Sequence, residues 1–128
     1  MRLLLDTHVL LWWFIDDRRL SRSARLALQD RGNRIFVSAA SAWELEIKVA
    51  KGKLRLPAGG DARIHSAMLA AGFEELSVTV MHAFAIRSLP RMHADPFDRL
   101  LAAQCQAENL TLVTNDRLLR RYPIDHFW

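Results

Sequence analysis

Residues 2–15 read Arg-Leu-Leu-Leu-Asp-Thr-His-Val-Leu-Leu-Trp-Trp-Phe-Ile, and they decide how the rest of the chain is read. The apolar run Arg2–Leu5 predicts a short strand ending at Asp6, with a helix following from about Thr7 to Ile15. From Val9 to Ile15 every residue is apolar. A helix without a polar face must be buried on more than one side. Either loops of the same chain cover it or a second subunit packs against it. The second subunit is the expectation carried forward, because large apolar surfaces are rarely left open.

Outward from this unit, strands and helices keep alternating. Ser21 is placed to cap a helix running to about Arg31, where Gly32-Asn33 stops it. Ile35–Val37 predicts a strand and Ala39–Lys51 a helix, with a turn at Gly52. After the loop Pro57–Gly60 come a helix over about Asp61–Ala71, a short strand at Glu75–Val78 and a helix ending near Pro90. A helix from Pro96 to about Glu108, a strand at Thr111–Thr114, a short helix at Asp116–Arg121 and an edge strand within Pro123–Phe127 complete the pattern. Such alternation predicts the α/β class, a parallel sheet held between helices.

The 128 residues fit one domain, 1–128, without repeats, linkers or low-complexity tracts. A hydrophobic share of 51% with 25% charged residues is globular composition. Cys105 is the only cysteine, which excludes an internal disulfide and a Cys-based zinc site and fits a reducing cytosol. Asp6 interrupts any signal-peptide core, and no apolar run approaches the roughly 20 residues that span a bilayer. A soluble, cytoplasmic chain without a membrane partner is expected. The net charge is +4, and arginine supplies 15 of the 18 basic residues. That balance is compatible with nucleic acid, since arginine is the better phosphate fork, but an Arg-rich surface explains it equally well.

In open α/β sheets, ligands bind beyond the carboxyl ends of the strands. Asp6 follows the first strand, and Asp116 follows Thr111–Thr114 across Asn115. Glu44 lies in the first turns of the helix after Ile35–Val37, and Asp98 in the first turn of the helix opened by Pro96. All four therefore belong to one edge of the sheet; whether they converge depends on strand order, which spacing does not give. Each also has an ordinary use. Asp6 and Asp116 suit helix N-caps, and Ser41-Ala-Trp-Glu44 reads as a capping box. Asp95-Pro96 is a cap followed by proline, with Asp98 a favourable first-turn anion. Capping can use Ser, Thr or Asn as readily, so it does not explain four carboxylates. Phosphodiester hydrolysis would, because hard divalent cations held by oxygen ligands activate water and absorb phosphoryl charge. Acids without a His-rich or Cys-rich motif point to Mg²⁺ or Mn²⁺ rather than zinc. The five histidines, His8 and His93 included, show no ligating spacing and read as surface or core residues.

At these same residues the chain resembles the PIN-domain family, and within it the VapC toxins of toxin–antitoxin pairs. The resemblance is carried by Leu-Leu-Leu-Asp-Thr-His-Val-Leu-Leu-Trp at 3–12 and Val-Ser-Ala-Ala-Ser-Ala-Trp-Glu-Leu-Glu-Ile-Lys-Val at 37–49. It continues through His-Ala-Asp-Pro-Phe-Asp-Arg-Leu-Leu-Ala-Ala-Gln at 93–104 and Leu-Val-Thr-Asn-Asp at 112–116. It implies a PIN-like three-layer α/β/α sandwich with a central, mostly parallel sheet, in which the four acids meet in one pocket. It assigns catalytic and metal-binding roles to Asp6, Glu44, Asp98 and Asp116. Glu44 is preferred to Glu46 because the family's acid follows the tryptophan, and residues two apart do not share a helix face. Thr7 and Thr114 match positions that orient ligands, and Asp95 matches the cap of the Asp98 helix. Lys48 is one helical turn from Glu44 and able to pair with it.

The implied activity is a metal-dependent endoribonuclease using Mg²⁺ or Mn²⁺, with Arg99 and Arg117 as candidate contacts to RNA phosphates. The implied partners are an RNA substrate, a VapB-like antitoxin covering the pocket and a second copy in a homodimer, with the apolar first helix a candidate contact. Two alternatives stand beside this reading. A receiver-like Mg-binding signalling module is the first, although it wants adjacent acids after the first strand, where Asp6 stands alone. A PIN-fold RNA-binding protein without catalysis is the second.

Overall fold

The first strand sits in the middle of the sheet. In the computed structural model, which describes residues 1–128, the strands are β1 (Arg2–Leu5), β2 (Arg34–Ser38), β3 (Glu74–Leu76), β4 (Thr111–Val113) and β5 (His126–Phe127). Their order across the sheet is β3-β2-β1-β4-β5, and every neighbouring pair is parallel. The expected mostly parallel sheet is thus wholly parallel. Parallel neighbours need crossovers, and the helices supply them: α1 (Thr7–Phe14), α2 (Arg22–Gln29), α3 (Ala39–Ala50), α4 (Gly60–Ala70), α5 (Val80–Ala85) and α6 (Pro96–Glu108).

Helices cover both faces, so the central strands are apolar without interruption. Leu3 and Leu5 point into one core with Val9, Leu10, Leu28, Leu45 and Ile64. Leu4 points the other way, into a second core with Phe36, Leu101, Leu112 and Leu119. All three leucines are fully buried. At about 25 cal/mol per Å² of apolar surface removed from water, such strands are the main favourable contribution to folding.

Local chemistry sets the helix ends. The Ser21 side chain accepts the Ala24 N–H at 3.0 Å and caps α2, as its position predicts. α3 begins directly where β2 stops, and its cap is Ser38, which accepts the Ala40 N–H. The expected capping box from Ser41 to Glu44 is therefore corrected: both residues lie inside the helix, because no loop separates strand from helix. The predicted helix at Asp116–Arg121 is only a 3-10 turn over Leu119–Arg121, and the helix before Pro90 is α5 plus a 3-10 turn at Ile86–Ser88. Asn109 ends α6 at φ 54°, a left-handed position that asparagine tolerates.

The apolar first helix is covered in part by the chain itself. Trp12 meets Trp128 with ring centroids 5.9 Å apart, and Trp13 meets Phe73 at 4.6 Å. The Arg19 and Arg63 guanidinium groups lie over Trp12 and Phe14. These contacts cover part of α1, while Leu11, Trp12, Trp13 and Phe14 stay only partly buried and Ile15 is 47% exposed, which leaves room for the expected second subunit. No helix is long and apolar enough to cross a membrane.

Candidate metal centre

Because β2, β1 and β4 are neighbours, the helices and loops leaving their carboxyl ends begin side by side. Asp6 stands one residue beyond β1, in the N-cap position of α1, yet its side chain makes no capping bond. Its Oδ2 instead accepts the Thr114 hydroxyl at 2.8 Å. The same Thr114 oxygen accepts the Asp116 N–H at 3.0 Å, so one hydroxyl beyond β4 fixes two acids. Asp116 does cap, accepting the Leu118 and Leu119 N–H groups on Oδ1. Asp95 caps α6 through the Phe97 and Asp98 N–H groups, which leaves the Asp98 carboxylate free to face the centre.

Glu44 is buried in the second turn of α3. Its Oε2 lies 2.9 Å from Lys48 Nζ, the pairing expected one turn on. Its other oxygen, Oε1, is buried and has no hydrogen-bond partner. Thr7 donates to Ser41 Oγ at 2.9 Å, a buried bond that joins the start of α1 to α3 one turn before Glu44. Glu46 points elsewhere, towards Asp61, whose hydrogen bond and negative charge raise the Glu46 carboxyl pKa.

Charge reports the same gathering. Burial first, then the negative charges of Asp95, Asp6, Glu44 and Asp116, push the Asp98 carboxyl up to about 8. Burial also raises Asp6, against the Thr114 hydrogen bond and nearby His8, which lower it, while Glu44 raises it further. Asp98 thus feels all three of the other acids, and Asp6 feels Glu44. The fold brings the four named acids into one electrostatic neighbourhood and excludes Glu46 from it.

His93 belongs to the same place, and the sequence reading undervalued it. Its Nδ1 accepts the Asp95 N–H at 3.3 Å, which leaves the neutral ring's proton on Nε2. Nε2 lies 2.7 Å from Asp98 Oδ2. Ligand atoms of His93, Asp98 and Asp116 all lie within 4.8 Å of one another. The signal was its position, two residues before the Asp95 cap. Arg99 is occupied otherwise: its guanidinium donates to the Ile86 and Pro90 carbonyls and to the Tyr122 hydroxyl, strapping that segment to α6. Arg117 is exposed beside Asp116.

A hard divalent cation fits these residues. The donors are carboxylate oxygens with one imidazole at the edge, and the set lacks the thiolates of a structural zinc site. The orphaned Glu44 Oε1 is the sharper test, since a buried polar atom left without a partner is costly and calls for a ligand.

The PIN-domain family model matches residues 3–125. The chain belongs to the PIN-domain family. This PIN domain is 31% identical over 120 residues to Ribonuclease VapC22 of Mycobacterium tuberculosis, covering 93% of this chain and 90% of that protein. Its fold is that of the Rickettsia felis VapBC2 structure, solved bound to a DNA fragment from their promoter. There the TM-score is 0.74 and the identity 21%, over 99% of this chain and 98% of that one. The DNA-bound VapBC structure from Salmonella typhimurium is similar at TM-score 0.68 and 18% identity, over 99% and 97% of the two chains. The receiver-like alternative falls with this membership.

Proposed function

We propose that this PIN domain, residues 1–128 as one unit, is a metal-dependent endoribonuclease and the toxin of a VapBC-type pair. The observations that carry the reading are that Asp98 feels the charges of Asp6, Glu44 and Asp116 and that Glu44 holds a buried oxygen without a partner. The likeness to a protein named Ribonuclease VapC22 supports the activity, and the likeness to VapBC complexes supports a VapB-like antitoxin. RNA as substrate, a homodimer and a cytoplasmic setting belong to the same proposal.

The four acids are the residues that would hold Mg²⁺ or Mn²⁺. When bound, such an ion supplies Lewis acidity toward a phosphoryl oxygen and makes water a better nucleophile at neutral pH. The chain's own residues do the positioning. Thr114 holds Asp6 and Asp116 at a fixed spacing. The Thr7–Ser41 bond sets how α3 presents Glu44, and His93 aims Asp98. Asp95 fixes the first turn from which Asp98 projects. Arg117 is placed to meet the RNA backbone, where a guanidinium serves as a phosphate fork. An antitoxin that supplies an arginine to the acids would silence the centre by replacing the cation.

The test is inducible expression in a bacterium followed by mapping of RNA ends, wild type against Asp6→Asn and Asp98→Asn. New 5′ ends in the wild type alone, and cleavage by purified protein that EDTA abolishes, are the expected results. Undiminished cutting by both variants, or binding of RNA without any cutting, overturns the reading.

A further inference from the structure

Two aromatic rings in mutual contact each precede an acid of the cluster in sequence, and metal binding does not account for them. Trp43 precedes Glu44 on α3, and Phe97 precedes Asp98 on α6. The rings meet edge to face, with centroids 5.2 Å apart and planes at 76°. Trp43 is 61% exposed, whereas Trp12 and Trp13 are partly buried against other rings. Leaving an indole in water forgoes one of the largest burial gains a side chain can make. With that much surface open, at least one indole face is free.

Position gives this pair its meaning. Neighbouring residues of a helix project about 100° apart from Cα atoms about 3.8 Å apart. If Glu44 and Asp98 face the cation and the scissile phosphate, Trp43 and Phe97 form the rim beside it, within the span of one nucleotide. A phosphate neighbour that offers a flat apolar face is a nucleobase. In a duplex, base faces are already stacked, so only an unpaired base has one to offer. Trp43 also lines the edge of an apolar groove of about 650 Å³ with Leu45, Ile64 and Met68, a surface on which a protein segment could compete. The edge-on support from Phe97, next to an acid of the centre, favours the base.

We propose that Trp43, buttressed by Phe97, is a stacking face for one unpaired base adjoining the cleaved bond, and so a determinant of where this domain cuts. The inference rests on the ribonuclease reading and adds a residue that the metal centre does not require. Base–aromatic stacking is sequence-tolerant, so the selection would act on whether the base is free before it acts on which base it is.

The experiment compares wild type, Trp43→Ala and Trp43→Phe on a mapped RNA target made as a short oligonucleotide, with an abasic nucleotide placed in turn on either side of the cut. Trp43→Ala is expected to raise KM roughly five- to a hundredfold with a smaller change in kcat, and Trp43→Phe to recover most of that loss. One abasic position should cost the wild type a similar factor and cost Trp43→Ala nothing further. Binding of the intact oligonucleotide to Asp98→Asn, with and without Trp43→Ala, reads the same contact without cleavage. If the wild type cuts while Trp43→Ala keeps its KM and its abasic penalty, the stacking face is refuted and the nuclease stands. A variant that loses only its grip on a protein partner refutes it as well. If the wild type binds RNA but never cuts it, the ribonuclease reading fails, and the stacking inference fails with it.

Discussion

The two ends of one sheet treat charge in opposite ways. At the amino ends of the strands, Arg34 grips Glu74 with two bonds of 2.8 Å, and the Arg2 guanidinium donates to the Glu108 carbonyl. The bond from Arg34 lowers the Glu74 carboxyl pKa, as a cation beside an acid should. At the carboxyl ends, four acids and their Asp95 neighbour face inward with Lys48 as the one ammonium paired to them, and Asp98 rises to about 8. A sheet that pairs Glu74 with an arginine at one end and gathers acids around a single lysine at the other has kept a place for positive charge from outside. Such an arrangement opposes folding and serves binding.

The largest effect should come from breaking the acidic end. Asp98→Asn should lower cleavage on the order of a hundredfold or more, measured by the rate on a labelled RNA. The same variant should raise the melting temperature of the cation-free protein at pH 8, by roughly 5 °C for each kcal/mol of repulsion relieved. The pH dependence follows in sign. Asp98 holds its proton up to about 8 when folded and to about 3.8 when not, so across that window the folded state binds more protons. Stability of the cation-free protein should therefore fall as pH rises from 4 to 8, and Asp98→Asn should flatten the slope. Millimolar Mg²⁺ or Mn²⁺ should restore the melting temperature at pH 8 in wild type and less so in the variant. Thr114→Val, which frees Asp6 and Asp116 from their shared hydroxyl, should weaken cation binding by about tenfold in calorimetry. The smallest effect belongs to the other end: Glu74→Gln should move the melting temperature by no more than about 2 °C and leave cleavage unchanged.

Much of this was legible in the chain. Short apolar runs at Leu3–Leu5, Ile35–Val37 and Leu112–Val113, alternating with helical patterns and with carboxylates beyond their ends, specify a parallel sheet and the end at which its acids stand. Lateral order was not legible, because local periodicity says nothing about which strand lies beside which. β1 at the centre is decided by long-range packing of Leu3, Leu4 and Leu5 on two separate cores. The partial cover on α1 was not legible for the same reason, since Trp128 and Phe73 are distant in sequence. Ser41 was misread because a capping box and a buried serine share one pattern, and only the absence of a loop after β2 separates them. His93 was set aside with the other histidines for want of ligating spacing, and Gln104 drew no separate reading. Gln104, fully buried, accepts the Ser38 hydroxyl at 2.6 Å and donates to the Ser77 carbonyl, tying β2 and the segment after β3 to α6.

The central place of β1 has a consequence for how the molecule comes into being. Asp6 leaves the ribosome 108 residues before Thr114, which holds it. A half-made chain carries acids with no frame to bring them together. An RNA-cutting centre divided between stretches so far apart cannot assemble while the message between them is still being read.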